Sequence, residues 1–424
     1  MFSVLKTINP LWLLLPAMIW MAGCRKYAEG PATIGGKPAY LRVFNVIPNT
    51  QTPFNSSAAN PFFTFLFDPK PDASGTPSGA TIVGDWLGTR QTYTTSYPLN
   101  EGNSLGASLD TFVTHNITYE YPGSAHVLTA PPINGFDLSA WAQVPSGKHR
   151  VQFVTRPQTD TPFANLSAAI RKSVVIDTTI DLQPGEVYTL EAIALDEDNN
   201  KYGVYLRQEQ FIHQSFSDSN LYVGFFNLSG KRSTIQQNDF PDSMKVTCTY
   251  RISDDVANNN AQAGVSSPYY KVVAGMDNIF LTNLTQRMAT TATYLPLPLL
   301  PTRYFFDDQG VFRNYGTIDN ASNYGTLPSL SFVFTNLGSV SAPGGPLNHT
   351  VDCILDPALA NNYPSYELIS SPFYGSWNET VPNLNLFSTG TGAPQLYPCL
   401  TIFDIAYGVL YMTRIQPAFY KQTN

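Results

Sequence analysis

Charge is what this chain has least of. Asp, Glu, Lys and Arg make up 13% of its 424 residues, about half of the ~25% usual in soluble domains. The balance is acidic, with 24 basic against 31 acidic side chains and a net charge of −7. A chain with no basic patch has little with which to neutralise phosphates, so nucleic acid is disfavoured as a partner. Histidine is scarce too. His115, His126, His149, His213 and His349 are the whole set, none in H-x-x-x-H spacing or beside a cysteine. "GTPSGA" spaces its serine wrongly for a nucleophile elbow, and "GGKP" lacks the upstream glycine and the Ser/Thr of a phosphate loop. The expectation is a protein that is not an enzyme and that holds no cofactor and no metal.

Sustained helical periodicity is also missing; "FDLSAWAQV" and "ANLSAAIRK" offer one or two turns each. What is present instead are many runs of five to eight residues rich in Val, Phe, Tyr, Ile and Thr. Clusters of Gly, Pro, Asn, Asp and Ser separate them, which is the pattern of an all-β sandwich. In "MKVTCTYRI", Met244, Val246, Cys248, Tyr250 and Ile252 alternate with Lys245, Thr247, Thr249 and Arg251. That spacing puts Cys248 on a buried strand face, where a thiol packs as a small apolar group. Cys353 and Cys399 are then the candidate disulfide, with three free thiols as the alternative.

The longest apolar run, Leu11 to Gly23, is too short to span a bilayer, which takes about 20 residues. A single Lys6 precedes it and small residues end it, as in a secretory signal peptide. Met21-Ala22-Gly23-Cys24 resembles the lipobox of bacterial lipoproteins. The resemblance implies cleavage after residue 23, with Cys24 as the lipid-bearing N-terminus and the outer membrane as destination, on its periplasmic face or at the cell surface. Several acyl chains would make that a stable tether. The expected organisation is signal peptide 1–23, tether 24–38, sandwich 39–214 and a divergent second sandwich 219–424.

Four landmarks recur in the same order along the two halves. "YLRVFNVIPN" resembles "YVGFFNLSGK", with Asn45 over Asn227. "FFTFLFD" corresponds in place to "MKVTCTYRI", and "VPSGKHRVQF" to "VVAGMDNIFL". "KYGVYLRQEQF" resembles "AYGVLYMTRI" through a shared Tyr-Gly-Val. "LQPGEVYTL" matches the tyrosine corner of Greek-key sandwiches, in which the Tyr188 hydroxyl reaches back to a backbone group. An opening strand ending Asn45-x-x-Pro48, the turn Val144-Pro145-x-Gly147 and Leu182-x-Pro184-Gly185-x-x-Tyr188 together resemble a domain-of-unknown-function family. That family occurs as immunoglobulin-like units, often tandem, in Bacteroidetes-type lipoproteins. The resemblance implies two tandem immunoglobulin-like, Greek-key sandwiches behind a lipoprotein signal peptide; it brings no functional residues. Both halves carry long insertions, near 69–138 and 284–400, and loops that long usually have a role or structure of their own.

Two weaker signals complete the reading. Asp196, Asp198 and Asn200 stand in D-x-D-x-N spacing, as calcium loops require. Lys201 and Arg207 occupy the positions where such a loop needs Gly and Glu, and a polar hairpin turn explains the same residues. Trp86, Trp141, Trp377 and Tyr304 lie in or beside the insertions. Trp86, Trp377 and Tyr304 are the candidate glycan contacts, although large aromatics more often fill cores. The leading expectation is a non-enzymatic, lipid-anchored envelope protein that binds or scaffolds a protein or glycan through its loops. One alternative is a pilin or adhesin that assembles by strand addition after cleavage at Arg42 or at Arg25-Lys26. The other is a glycan-capture lipoprotein beside a nutrient transporter.

Overall fold

Alternation of apolar side chains on short β-branched and aromatic segments produces strands almost throughout. The computed structural model describes residues 34–47, 62–90, 120–253, 270–301, 329–338, 348–354 and 400–415, apart from 124, 158, 160, 218, 234–238, 288–290 and 408. It also gives the backbone of four short strands between 365 and 398.

The first half supplies β1 (Ala39–Asn45), β2 (Phe62–Pro71), β3 (Pro77–Leu87), β4 (Ala142–Val144), β5 (Gly147–Arg156), β6 (Val174–Leu182), β7 (Val187–Asp196) and β8 (Lys201–Glu209). They form an outer sheet, β3-β2-β5-β6, and an inner sheet, β4-β1-β7-β8. A single helical turn, Ala168–Arg171, caps the outer sheet's far side; Ser167 accepts the Ile170 N–H at its start. This is the turn that "ANLSAAIRK" leads one to expect, whereas "FDLSAWAQV" runs into β4.

The second half supplies β9 (Asn220–Asn227), β10 (Ser243–Ser253), β11 (Tyr270–Val272), β12 (Ile279–Thr285), β13 (Leu295–Pro298), β14 (Ser329–Asn336) and β15 (Asn348–Ile354). Two small hairpins follow, β16 (Ser365–Leu368) with β17 (Glu379–Pro382) and β18 (Asn385–Ser388) with β19 (Gln395–Pro398). Then come β20 (Leu400–Ala406) and β21 (Val409–Ile415). The inner sheet here runs β13-β9-β20-β21; the outer one runs β11-β10-β14-β15, with β12 also on β10. Both long insertions thus carry strands: β3 completes one outer sheet, and β13, β14 and β15 build the second half.

The inner sheets share one pairing plan. β1 runs parallel to β7, with Asn45 opposite Ala192; β9 runs parallel to β20, with Asn227 opposite Ile405. Asn45 Oδ1 accepts the Ile47 N–H at 3.1 Å, and Asn227 Oδ1 accepts the Ser229 N–H at 3.1 Å. The Arg90 N–H donates to the Asn45 carbonyl at 2.7 Å, and the Arg287 N–H to the Asn227 carbonyl at 2.9 Å. One sequence landmark shifts by a residue. Tyr202 and Gly203 lie within β8, whereas Tyr407, at φ +55°, sits in the turn between β20 and β21. The strand register therefore matches Tyr205, opposite Glu191, to Tyr411, opposite Asp404. The second hairpin turns earlier than the first, and the Tyr-Gly-Val match misses that.

Three buried cores separate the sheets. Leu41, Val43, Phe65, Phe153 and Leu190 fill the first sandwich, and Val246, Cys248, Phe225, Phe332 and Phe403 fill the second. A third lies between the two inner sheets, with Tyr40, Phe44, Phe211, Phe226, Tyr294 and Tyr411 among its members. Successive side chains on a strand face opposite ways, so inner strands with both faces covered lose the apolar–polar alternation. All seven residues of β1 and of β20 are buried. Each large side chain so buried contributes about 1.5–3 kcal/mol.

The tyrosine corner forms as its motif predicts. The Gln183 N–H donates to the Tyr188 hydroxyl at 2.9 Å, while the ring packs in the first core. Gly185 makes the bend at φ +82°, a backbone region that costs other residues energy. An unanticipated counterpart starts the second half, where the Ser217 N–H donates to the Tyr222 hydroxyl at 2.8 Å. Among the described residues no helix is long and apolar enough to cross a membrane.

Candidate functional site

A cluster of charged side chains lies where charge is least expected, between the inner sheets. Glu191 on β7 and Asp404 on β20 hold equivalent places in the two sheets, opposite Phe44 and Phe226 respectively. Both are fully buried, as are Arg207 and Glu209 on β8 and the side chain of Arg90 just after β3. Arg90 Nη1 lies 2.8 Å from Glu191 Oε1 and 2.8 Å from Asp404 Oδ2. Its Nη2 donates to the Thr413 hydroxyl at 2.6 Å. Arg207 Nη1 lies 2.6 Å from Asp404 Oδ1, and its Nε lies 3.1 Å from Glu209 Oε1. Glu209 also accepts from Thr189 Oγ1 at 2.6 Å and from the Tyr294 hydroxyl. Each guanidinium stacks on an inner-strand ring, Arg90 4.1 Å from the Phe44 centroid and Arg207 4.1 Å from Phe226. Such stacking suits arginine, whose planar cation is weakly hydrated.

Burial dominates the acid–base behaviour. Desolvation, and then the neighbouring Asp404 charge, push the Glu191 carboxyl up to about 8, although Arg207 and Arg90 oppose the rise. Desolvation acts the same way on Asp404, but Arg207 and Arg90 outweigh it and hold that carboxyl below its ordinary value. Both carboxyls are sealed from solvent, and the network joins the two inner sheets.

The D-x-D-x-N run lies at the edge of this joint. Asp198 accepts from the Ser233 N–H at 2.7 Å and from its hydroxyl at 3.1 Å. Glu197 pairs with Arg232, and the Asn199 side chain and N–H hold Asp196 below the usual carboxylate range. Lys231 bridges to Asp196 and donates its N–H to the Leu195 carbonyl at 2.9 Å. The hairpin of the first half is thus fastened to the chain just after β9. Gly230 is required there, because a Cβ would stand 2.2 Å from the Ala194 carbonyl oxygen.

Of the candidate glycan contacts, Trp86 is half-buried on β3, and its indole N–H donates to the Thr159 carbonyl at 2.9 Å. Arg156 donates to the same carbonyl at 2.9 Å, so the pair ties down the segment beyond β5. Trp377 and Tyr304 lie outside the described residues. So do Cys24, Cys399 and the side chain of Cys353. Trp141 is buried between the inner sheets and donates to the Tyr188 carbonyl at 3.1 Å. Arg42, a proposed cleavage point, is buried on β1, pairs with Glu120 at 2.9 Å, and belongs to a strand paired on both sides. Cys248 is a free, buried thiol. His149 pairs with Asp68 at 2.7 Å while stacked on Phe67, and His213 pairs with Glu186 at 2.7 Å.

A cleft of about 250 Å³ opens beside β9 and β12, lined by Tyr205, Phe226, Asn283, Thr285, Arg287 and Thr293 among others. Among the described residues no group of three or more His, Cys, Asp or Glu side chains is placed to hold a metal ion.

Sequence reasoning missed the buried network, yet a signal existed. Glu191 interrupts the apolar run "YTLEAIAL", and Asp404 interrupts "TIFDIAY". A carboxylate inside a strand that is apolar on both faces demands a buried partner. Arg207 and Glu209 alternate with Leu206 and Gln208 in "YLRQEQ" and read as an exposed face. No model of a known protein family matches the chain, and no curated protein shows significant similarity to it.

Proposed function

We propose that this chain is a non-enzymatic, lipid-anchored protein of the bacterial cell envelope, acting by binding or scaffolding. The supporting observation is Met21-Ala22-Gly23-Cys24 closing a short apolar run behind Lys6. Acyl chains on Cys24 would hold the body at the outer membrane, and a protein or glycan would be its ligand. The shared pairing plan of the inner sheets, with Asn45 matching Asn227 and Glu191 matching Asp404, supports descent of both sandwiches from one immunoglobulin-like unit. Sealed carboxyls favour a structural role over a hydrolytic one. The strand-addition alternative gains nothing at Arg42, where cleavage would have to break into a central strand.

Metabolic labelling with palmitate in a Gram-negative host tests the anchor. The expected result is label in the wild-type protein, none in Cys24→Ala, and accumulation of precursor under globomycin. An unlabelled protein whose processing ignores globomycin would overturn the reading.

A further inference from the structure

The network between the inner sheets has an odd number of negative groups. Arg90 and Arg207 face Glu191, Glu209 and Asp404, two cations against three carboxyls, all buried. No other Lys, Arg or Asp/Glu side chain is paired into this set among the described ion pairs; Arg42 on β1 pairs outside it, with Glu120. The tyrosines of the network are neutral at neutral pH: Tyr205 from β8 and Tyr411 from β21 beside Glu191, and Tyr294, ahead of β13, on Glu209. An uncompensated charge in such a place is strongly unfavourable. Geometry identifies the odd group. Glu191 Oε1 takes Arg90, but Glu191 Oε2 is buried without a donor and stands 3.7 Å from Arg207 Nη1. One nitrogen, Arg90 Nη1, lies 2.8 Å from both Glu191 Oε1 and Asp404 Oδ2, so the two carboxyls converge on a single donor. Two carboxylates are acceptors only, so a bond between them requires a proton on one.

We propose that Glu191 carries this proton at neutral pH and donates it to Asp404, so that a single hydrogen clasps the two sandwiches together and its loss at alkaline pH loosens their interface. The step is a simple deprotonation, with the proton passing to solvent during transient opening of the joint. Because Glu191 belongs to β7 and Asp404 to β20, the bond crosses between the halves. Both arginines already serve Asp404, so ionised Glu191 would gain no further cation.

The sign follows from linkage. Burial raises Glu191 from an ordinary 4.5 to about 8, so the folded state binds the extra proton between those values, and stability falls as pH rises through that window. Asp404 is shifted the other way, and its contribution is lost only on acidification below the ordinary carboxylate range.

Difference infrared spectroscopy of the wild-type protein between pH 6 and pH 9.5 reads the proton directly. A protonated-carboxyl band present at pH 6 and lost with a midpoint within about one unit of pH 8 is expected; its absence at pH 6 would overturn the proposal. In parallel, hydrogen exchange in β7 and β20 should accelerate on alkalinisation beyond the intrinsic chemical rate. Glu191→Gln, which keeps a neutral donor facing Asp404, should lose the band and flatten the exchange profile. A Glu191→Gln protein with an unchanged pH profile would equally refute the clasp. If that variant does not fold, the wild-type infrared titration still decides.

Discussion

The core inside each sandwich and the core between the sandwiches are built from different chemistry. Val43, Phe65, Phe153 and Leu190 in the first, like Val246, Phe332 and Phe403 in the second, form apolar interiors. Between the inner sheets the aromatic residues Phe44, Phe226, Tyr294 and Tyr411 surround the buried Arg90, Glu191, Arg207, Glu209 and Asp404, with Arg42 stacked on Phe44 beside them. Apolar contacts are non-directional and permit sheets to slide. A network of short, angle-dependent bonds from Arg90 and Arg207 does not, so it fixes one alignment of the halves. Apolar burial in all three cores stabilises the fold, and the polar network of the middle one sets the register between the sandwiches.

That contrast can be broken at several points. Arg207→Met strips Asp404 and Glu209 of a buried cation, and removing one member of such a set costs roughly 3–5 kcal/mol. A urea titration followed by tryptophan fluorescence should show a large fall in the midpoint. Cys248→Ser places a hydroxyl in an apolar core, at about 1–3 kcal/mol if it finds no partner. Cys248→Ala should be milder than a polar replacement would suggest from size alone, since little volume is lost; the same titration ranks the two. Tyr188→Phe removes only the acceptor for the Gln183 N–H, with an expected loss of about 0.5–1.5 kcal/mol. It should leave the near-ultraviolet spectrum of the folded protein native-like.

How far each feature could be read in advance follows the same divide. Cys248 was legible because β10 has one buried face and one more polar, so period-two alternation appears in the letters. Tyr188 was legible because its turn needs Pro184 and Gly185 at fixed offsets. The strands inside the insertions were not placed, because β13 and β14 join sheets whose other members are distant in sequence. The network was missed for a related reason. Arg90, Glu191, Arg207 and Asp404 come from four separate segments, and only the stacking of two sheets brings them together. On the inner strands, where both faces are covered, a lone charge gives no periodic signal; it shows only as an interruption.

A double-mutant cycle across the joint tests the central claim most directly. Arg207→Met, Asp404→Leu and the double variant would be compared in urea titrations at pH 7. If the charged middle core aligns the sandwiches, the two single losses should exceed the double loss, with a coupling above about 1 kcal/mol, within the range for residues sharing one network. Additive losses, with no coupling beyond about 0.3–0.5 kcal/mol, would mean that Arg207 and Asp404 do not hold the two halves together.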